Sequence, residues 1–274
     1  MTHSTDSTYL LGETSGEHWR LIRQAHIFGP FTERLFREAG VDTGQRVLDV
    51  GSGVGDVALL AARLVGPSGT VIGVERDPNT VATASSRASA AGLANVRFIQ
   101  GEVGSFAITE SFDAVVGRFI IEFLPDADAA MRSLASLLRP GGVMAFQDAC
   151  WGTWLDLNQS FPLRGKCVSL IHKAFACSGA HMDMERVLFR AIQEAGLPSP
   201  TMRIEVPIGN DPNIVRYAYD LFSTLLPRMR IMRSRGMRLA ISKRLTRDSR
   251  PEGWRRAPLP QCRRLLAPGL GKPE

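Results

Sequence analysis

The chain has 274 residues, 44% of them hydrophobic, which is enough for one domain of about 200 residues with an appendage. No apolar run approaches the ~20 residues of a membrane span, and segment 1–16 lacks the apolar centre of a secretory signal, so we expect a cytoplasmic protein.

The four cysteines, Cys150, Cys167, Cys177 and Cys262, lack metal-site spacing. We therefore expect reduced thiols and predict no metal site.

The positive net charge of +6 is confined to one end of the chain. Residues 228–274 hold 14 Lys/Arg and 3 Asp/Glu, whereas the rest holds 19 basic and 24 acidic residues. A basic segment can bind nucleic acid or an anionic membrane, but these arginines do not alternate with stacking aromatic residues. The sequence therefore gives no firm nucleic-acid or membrane partner.

The N-terminal part, residues 16–40, has apolar residues at the three- and four-residue spacing of a helix. Gly29 and Pro30 predict an interruption, followed by a second helix over 32–39 that ends at Gly40.

Short apolar strands then alternate with amphipathic helices. This rhythm is typical of right-handed crossovers and of a parallel sheet covered on both faces, so the predicted fold class is α/β, Rossmann-like and doubly wound. The predicted strands are 46–50, 70–75, 96–100, 112–116 and 142–147, and the helices are 56–65, 79–91 and 127–138. The sequence R-P-G-G at 139–142 predicts a turn before the fifth strand.

The rhythm breaks after Trp151. We predict loop structure and then a helix over 166–177, a helix over 184–195, a strand over 201–208 and a helix over 213–226. The predicted organisation is an N-terminal helical segment 1–40, a core 41–150, a lid region 151–227 and a basic tail 228–274, poorly ordered from about residue 232.

A glycine-rich turn follows the first strand. Asp49 precedes Gly51, Ser52, Gly53 and Gly55, and a helix begins directly afterwards. Glycines allow a ligand to approach the backbone closely, and a helix N-terminus offers free N–H groups. Asp49 can accept hydrogen bonds from a ligand's ammonium group.

Asp56 stands where the dinucleotide-binding fingerprint G-x-G-x-x-G has its third glycine. A carboxylate there repels a pyrophosphate and suits a cationic cofactor. The same residue also suits a helix N-cap, and the sequence leaves both interpretations open.

Polar residues follow the next strands at the edge where such sheets bind ligands. Glu75 can take both hydroxyls of a ribose, and Glu102 can accept from an adenine amino group. Arg118 follows the fourth strand, where it can contact a carboxylate of the ligand.

These motifs together resemble the class I S-adenosylmethionine-dependent methyltransferases, of the ubiquinone/menaquinone C-methyltransferase type. The matching segments are V-L-D-V-G-S-G-V-G-D at 47–56, V-I-G-V-E at 71–75, F-I-Q-G-E at 98–102, F-D-A-V-V-G-R at 112–118 and L-L-R-P-G-G at 137–142.

The resemblance implies S-adenosylmethionine as cofactor. It implies Asp49 and the three glycines around the methionine part, Glu75 on the ribose and Glu102 near adenine, although the family more often has Asp at the last two positions. The predicted cofactor site also includes Ser52, Arg76, Val103, Arg118 and Gln24, the last in the helix that folds over the cofactor. The alternative interpretation of Gln24 is an exposed helical glutamine without a cofactor role.

Methyl transfer is an in-line displacement that requires a base only if the substrate must lose a proton. The candidate bases are Asp148, Glu122, His172 and His181, each of which also suits a structural role. The predicted contacts of a small organic substrate are Asp148, Trp151, Phe119 and Phe123, because they lie near the ends of the fourth and fifth strands. The sequence leaves the substrate and the oligomeric state open.

Two other functions remain possible from the sequence: a catalytically inactive S-adenosylmethionine-binding protein, and a nicotinamide-dependent oxidoreductase, which Asp56 disfavours. The expected last strand of the sheet is missing after residue 228, where prolines and arginines intrude. Our hypothesis is that this tail is translated in a shifted frame or otherwise replaced; the alternative is a genuine basic arm.

Overall fold

The computed structural model describes residues 11, 15–104, 106, 108, 110–207 and 211–234. The strands are β1 Arg46–Val50, β2 Thr70–Glu75, β3 Val96–Gln100, β4 Phe112–Arg118 and β5 Leu138–Gln147. The helices are α1 Ser15–Glu38, α2 Asp56–Val65, α3 Pro78–Ala90, α4 Ala127–Ala135, α5 Trp151–Asn158, α6 Pro162–Cys177, α7 Met184–Glu194 and α8 Pro212–Ser234, with a 3-10 turn at Ile121–Phe123.

Within the described residues, the strands form one sheet in the order β3-β2-β1-β4-β5, and every neighbouring pair is parallel. Asp49 of β1 lies opposite Gly73 of β2 and Val116 of β4. Because the strands are parallel, all their C-terminal ends meet at one side of the sheet, which we call the carboxyl edge. The predicted α/β fold class is confirmed.

Both faces of the sheet are buried. Val47 packs on one face with Phe36 of α1 and Val57 of α2, whereas Leu48 packs on the other with Met131 of α4 and Leu188 of α7. Alternate residues of β1 thus enter two separate cores, which explains why its sequence is nearly all apolar.

Two predicted breaks do not end their elements. Helix α1 runs unbroken through Pro30, so the predicted interruption is wrong. Ile27 before the proline and Phe36 after it are both buried, and their packing outweighs the lost backbone donor. Strand β5 begins at Leu138, and its register shifts between the Leu138 and Val143 pairings, so the predicted turn 139–142 is a bulge inside the strand.

The region after residue 150 is more helical than predicted. Helix α5 occupies part of the predicted loop, and α8 continues past Pro227 to Ser234, eight residues beyond the predicted end. The change of composition at residue 228 therefore does not end this helix. The rest of the tail, 235–274, and with it the predicted absence of a last strand, lies outside the described residues.

The predicted strand over 201–208 is wrong for the seven of its residues that are described, 201–207, which have no strand structure. Met202 and Ile204 are 42% and 59% exposed. Arg203 instead pairs with Glu38 of α1, and Glu205 pairs with Arg34. Side-chain ion pairs, rather than a strand ladder, attach this segment to the core.

No helix in the described ranges is long and apolar enough to cross a membrane. Cys150, Cys167 and Cys177 carry free thiols, and Cys262 lies outside the described residues.

Candidate functional site

The glycine turn at the end of β1 is tightly enclosed. Gly51 and Gly55 have φ angles of +64° and +89°, which side chains rarely allow. A Cβ on Gly51 would come within 2.5 Å of the Ile120 side chain, and one on Gly55 within 2.8 Å of Phe98. Backbone, not side chain, therefore forms the surface of this turn.

Glu75 closes the turn from the end of β2. Its Oε2 accepts a hydrogen bond from the Gly53 amide at 3.0 Å. Its Oε1 accepts from the amides of Arg76 and Asp77 at 2.8 and 3.1 Å. The carboxylate that the sequence assigns to a ribose is thus fixed beside the glycines.

Asp49 is the most unusual group at the carboxyl edge. Its residue is 1% exposed, and neither carboxylate oxygen has a hydrogen-bond partner within the described residues. Burial raises the pKa of Asp49 well above its ordinary value, and the Arg118 charge and the nearby Ala58 amide only partly offset that rise. The Ser52 hydroxyl beside it is also buried without a described partner. These orphaned acceptors fit a ligand that brings a cationic donor.

Asp56 is not the N-cap of α2, because Gly55 takes that position. Its Oδ1 lies 2.6 Å from Arg87 Nη2 of α3, and Arg87 also donates to the Val54 carbonyl. The N-cap interpretation is therefore wrong. Asp56 joins the start of α2 to α3 and adds negative charge near Asp49.

Arg118 connects three elements at the end of β4. Its Nη1 donates to Thr32 Oγ1 of α1 at 3.2 Å, and that oxygen lies 2.7 Å from Gln147 Oε1 of β5. Burial lowers the pKa of Arg118, and the charges of Asp56 and Asp49 oppose this shift.

Helix α1 places a polar network over the carboxyl edge. Glu17 and Arg20 form a buried, two-bond ion pair, and Arg20 also donates to Gln24 Oε1. The Tyr217 hydroxyl of α8 lies 3.4 Å from the same oxygen. Gln24 is 4% exposed, so its interpretation as an exposed helical glutamine is wrong. Burial raises the pKa of Tyr217 to about 12.

Glu102 and Val103 follow β3, the outermost strand on this side. Glu102 is exposed, and Val103 packs against the apolar core. They lie beyond Gln100, whose side chain donates to the Arg76 carbonyl. The adenine assignment of Glu102 and the cofactor role of Val103 remain predictions.

Two acids meet where β4 and β5 end. The Glu122 backbone amide donates to Asp148 Oδ1 at 3.3 Å, and Glu122 Oε2 accepts from Trp151 Nε1 at 2.6 Å. Burial and the Asp148 charge raise the pKa of Glu122 well above its ordinary range. Burial raises the pKa of Asp148 to about 7, although backbone amides of residues 120–122 oppose the shift. No pattern in the sequence indicated that these two candidate bases lie together. Their contact is visible only in the structure.

Seven aromatic rings form a continuous row of contacts beside these acids, which we call the aromatic row. Centroid distances between neighbours run from 4.6 to 6.1 Å. In order, its members are Phe119, Phe28, Tyr217, Trp154, Trp151, Phe175 and Phe123.

The predicted substrate residues occupy different positions in this row. Trp151 is buried and donates to Glu122, whereas Phe119 and Phe123 are half-buried. Phe119 has a φ of +54°, an uncommon backbone for a side-chain-bearing residue, and its amide donates to the Gln147 carbonyl at 2.7 Å. Its backbone is thus held by β5.

The two histidine candidates lie apart from the acids' side chains. His181 Nε2 is 2.9 Å from the Leu124 carbonyl, and its amide donates to the Glu122 carbonyl at 2.8 Å. His172 lies half-buried in α6, and no hydrogen bond among the described residues connects it to the carboxyl edge.

Sequence reasoning missed Arg20, Tyr217 and Phe28. The E-x-x-R spacing of Glu17 and Arg20 on one helix was an available signal. Tyr217 and Phe28 had none, because they meet only through the packing of α8 on α1.

Comparison with known proteins matches this architecture to one family. A family model described as a methyltransferase domain covers residues 41–192. The arsenite methyltransferase of Aquipseudomonas alcaligenes is 37% identical over 135 residues, which are 46% of this chain and 39% of that protein. The ubiquinone/menaquinone biosynthesis C-methyltransferase of Pseudomonas putida is 35% identical over 106 residues, 38% of this chain and 41% of that protein.

The chain therefore spans less than half the length of these curated relatives. Among solved structures, the YcgJ protein from Bacillus subtilis has a TM-score of 0.52 and 23% identity, covering 74% of this chain and 82% of that one. This likeness shows a shared fold.

Proposed function

The chain belongs to the methyltransferase domain family of class I S-adenosylmethionine-dependent enzymes, and from that premise we propose that it methylates a small organic molecule. The observation that carries the proposal is the buried Asp49 carboxylate, which has no described partner and lies beside the glycine turn.

The residues at the carboxyl edge fit the cofactor. Asp49 offers two unfilled acceptors to an amino acid's ammonium group, and Arg118 offers a guanidinium to its carboxylate. Glu75 stands at the end of the neighbouring strand, where a ribose is expected. When bound, S-adenosylmethionine supplies a methyl group on a sulfonium sulfur, which is a good leaving group.

The protein's own contribution is positioning and exclusion of water. Helix α1 covers the edge with buried Glu17, Arg20 and Gln24, and α8 adds Tyr217. Correct alignment of a nucleophile can supply about 7–11 kcal/mol of an in-line reaction's barrier.

The aromatic row supports an organic substrate. Curated relatives of the chain are named for arsenite and for ubiquinone/menaquinone biosynthesis. Five of the seven rings, all except Trp151 and Phe175, are half-buried. They favour a flat, largely apolar molecule over a small inorganic anion, because apolar area and ring stacking dominate their exposed surface.

Isothermal titration calorimetry with S-adenosylmethionine and with NAD tests the cofactor assignment. We expect binding of the first and none of the second. Asp49→Asn should weaken S-adenosylmethionine binding by about 10–100-fold, because a charged hydrogen bond contributes about 1.5–3 kcal/mol. Asp42→Asn, an exposed change before β1, is the matched control. Unchanged affinity in Asp49→Asn contradicts the assignment.

A second candidate is a binding protein of the same fold without turnover, favoured by the burial of Glu122 and of the Asp148 Oδ2 atom, the candidate bases. Incubation with methyl-labelled cofactor and a metabolite extract separates the two. Label in an extracted molecule supports the enzyme, whereas tight binding with no S-adenosylhomocysteine formed supports the binding protein.

A further inference from the structure

Resting on the proposed function, we propose that Glu122 and Asp148 hold one proton between them and accept the proton of the substrate's hydroxyl, so that the substrate is a phenol or an enol. The two acids come from different strand ends, Glu122 after β4 and Asp148 after β5. We call these two acids the carboxyl pair.

The position of the carboxyl pair connects it to the cofactor turn. Ile120, whose side chain lies over Gly51, is two residues from Glu122. Asp148 accepts from the Glu122 amide, and the amides of residues 120 and 121 also stabilise its charge. The pair therefore adjoins the turn where the reacting methyl group is expected.

The pair offers an unfilled acceptor. Asp148 Oδ2 is inaccessible to solvent and has no hydrogen-bond partner in the described residues. A buried acceptor without a donor is costly, so a donor on a ligand is the expected occupant. Glu122 Oε2 is already filled by the Trp151 indole, which fixes the side chain against the aromatic row.

The surroundings of the carboxyl pair favour the state in which the two acids together carry one proton. Burial penalises the charged form of each, and the charge of Asp148 further raises the pKa of Glu122. The charged and titratable groups facing the pair are Arg20 from α1 and Tyr217 from α8, and His181 donates its backbone amide from the segment before α7. Helix α5 contributes Trp151, which does not titrate.

The aromatic row favours a substrate hydroxyl that is carried on a ring. Tyr217 contacts Phe28 and Trp154 of the row, with centroid distances of 5.4 and 6.1 Å, and the charges of Arg20, Glu122 and Arg118 lie close enough to shift its pKa. Aromatic side chains stack well with a flat ring, so a phenol or enol is the acid that we expect the carboxyl pair to deprotonate.

The proposed reaction moves one proton and one methyl group. The substrate O–H bond breaks, its proton goes to Asp148, and the charge of the pair changes from minus one to zero. The electron pair left on the substrate oxygen forms the bond to the methyl carbon, and the pair of the carbon–sulfur bond stays on sulfur. The proton then leaves to solvent.

NMR of protein labelled with ¹⁵N-tryptophan, with S-adenosylhomocysteine added, tests the shared proton without turnover. The Trp151 indole resonance, assigned with Trp151→Phe, should move between pH 5 and 9. Glu122→Gln should abolish the movement, and Asp148→Asn should lower its midpoint by at least one pH unit. Asp156→Asn, an exposed change in α5, should leave it unaltered. A resonance that stays fixed, or one that Asp148→Asn does not shift, overturns the proposal.

Labelled methyl transfer to 4-methylphenol, 4-nitrophenol and benzylamine tests the substrate class. We expect transfer to 4-methylphenol to rise through about pH 7 and to fall about 10²–10⁴-fold in Asp148→Asn. Transfer to 4-nitrophenol, which is already ionised above neutral pH, should fall less. Equal losses for both phenols, or no transfer to either phenol, overturn the inference. The proposed function is tested separately. Binding of S-adenosylmethionine in calorimetry, or transfer of label to benzylamine, would support methyl transfer even if the phenol inference failed.

Discussion

The two halves of the carboxyl edge are built differently. On the β1–β2 side, Glu75 is fixed by backbone amides of a turn and of its own neighbours, within 22 residues of chain. On the β4–β5 side, Glu122, Asp148, Trp151 and Tyr217 meet across separate strands and helices. Backbone geometry therefore determines the structure of the β1–β2 side, whereas buried side-chain charges determine that of the β4–β5 side.

We expect the largest effect from Gly51→Ala, which disrupts the glycine turn on the β1–β2 side. The positive φ costs about 1–2 kcal/mol, and the contact with Ile120 adds about 1–3 kcal/mol of overpacking. Urea denaturation should therefore show a loss of about 2–5 kcal/mol, with cofactor binding lost in calorimetry. Gly92→Ala is the matched control, because its φ is +66° and nothing lies within 4 Å of the new Cβ. Equal losses in both variants would show that the close contact contributes nothing.

On the β4–β5 side, Asp148→Asn should be more stable than wild type, and this difference should grow as the pH rises. The folded pKa of about 7 lies above the ordinary 3.8, so Asp148's contribution to stability is full below pH 3.8 and is lost as pH rises through about 7. The amide does not ionise, so the variant should gain on the order of 2–4 kcal/mol relative to wild type between pH 4 and 8. Urea denaturation at both pH values measures this gain; a difference independent of pH would contradict the shifted titration.

A smaller effect sharpens the comparison at Asp49. Because burial raises the pKa of Asp49, binding of an ammonium group should ionise it and release a proton, so affinity should increase with pH. We expect a release of up to about one proton, with about tenfold tighter binding per pH unit below this pKa. Calorimetry in two buffers of different ionisation enthalpy measures the release, and Asp49→Asn should remove it. Identical heats in both buffers would argue for an Asp49 that is ionised before binding.

The smallest effect is expected outside both halves, at Arg203. Its ion pair with Glu38 is about half exposed, and such pairs contribute about 0–1 kcal/mol. Thermal unfolding of Arg203→Ala should therefore lie close to that of wild type. A loss of several kcal/mol would show that segment 201–207 is bound to the core more tightly than its exposed side chains indicate.

Much of the core followed from the sequence. The bounds of β1, α2, β2 and β3 agree with the prediction, because apolar runs bounded by glycine and polar turns are local signals. The strand over 201–208 failed because strand structure requires a neighbouring ladder, which a sequence pattern does not supply. Helix α1 continues through Pro30 because its tertiary packing outweighs the local break that the proline predicts.

By itself, the sequence determined the parallel sheet, the glycine turn at Gly51 to Gly55 and the acids Asp49 and Glu75 beside it. These depend on backbone dihedral angles and on the direction of parallel strands, both of which residue type and spacing encode. Only the tertiary structure joined Glu122 to Asp148, placed Gln24 inside a buried network and aligned the aromatic row. Burial and charge coupling arise from groups distant in the chain, so they exist only once the helices have packed over the carboxyl edge.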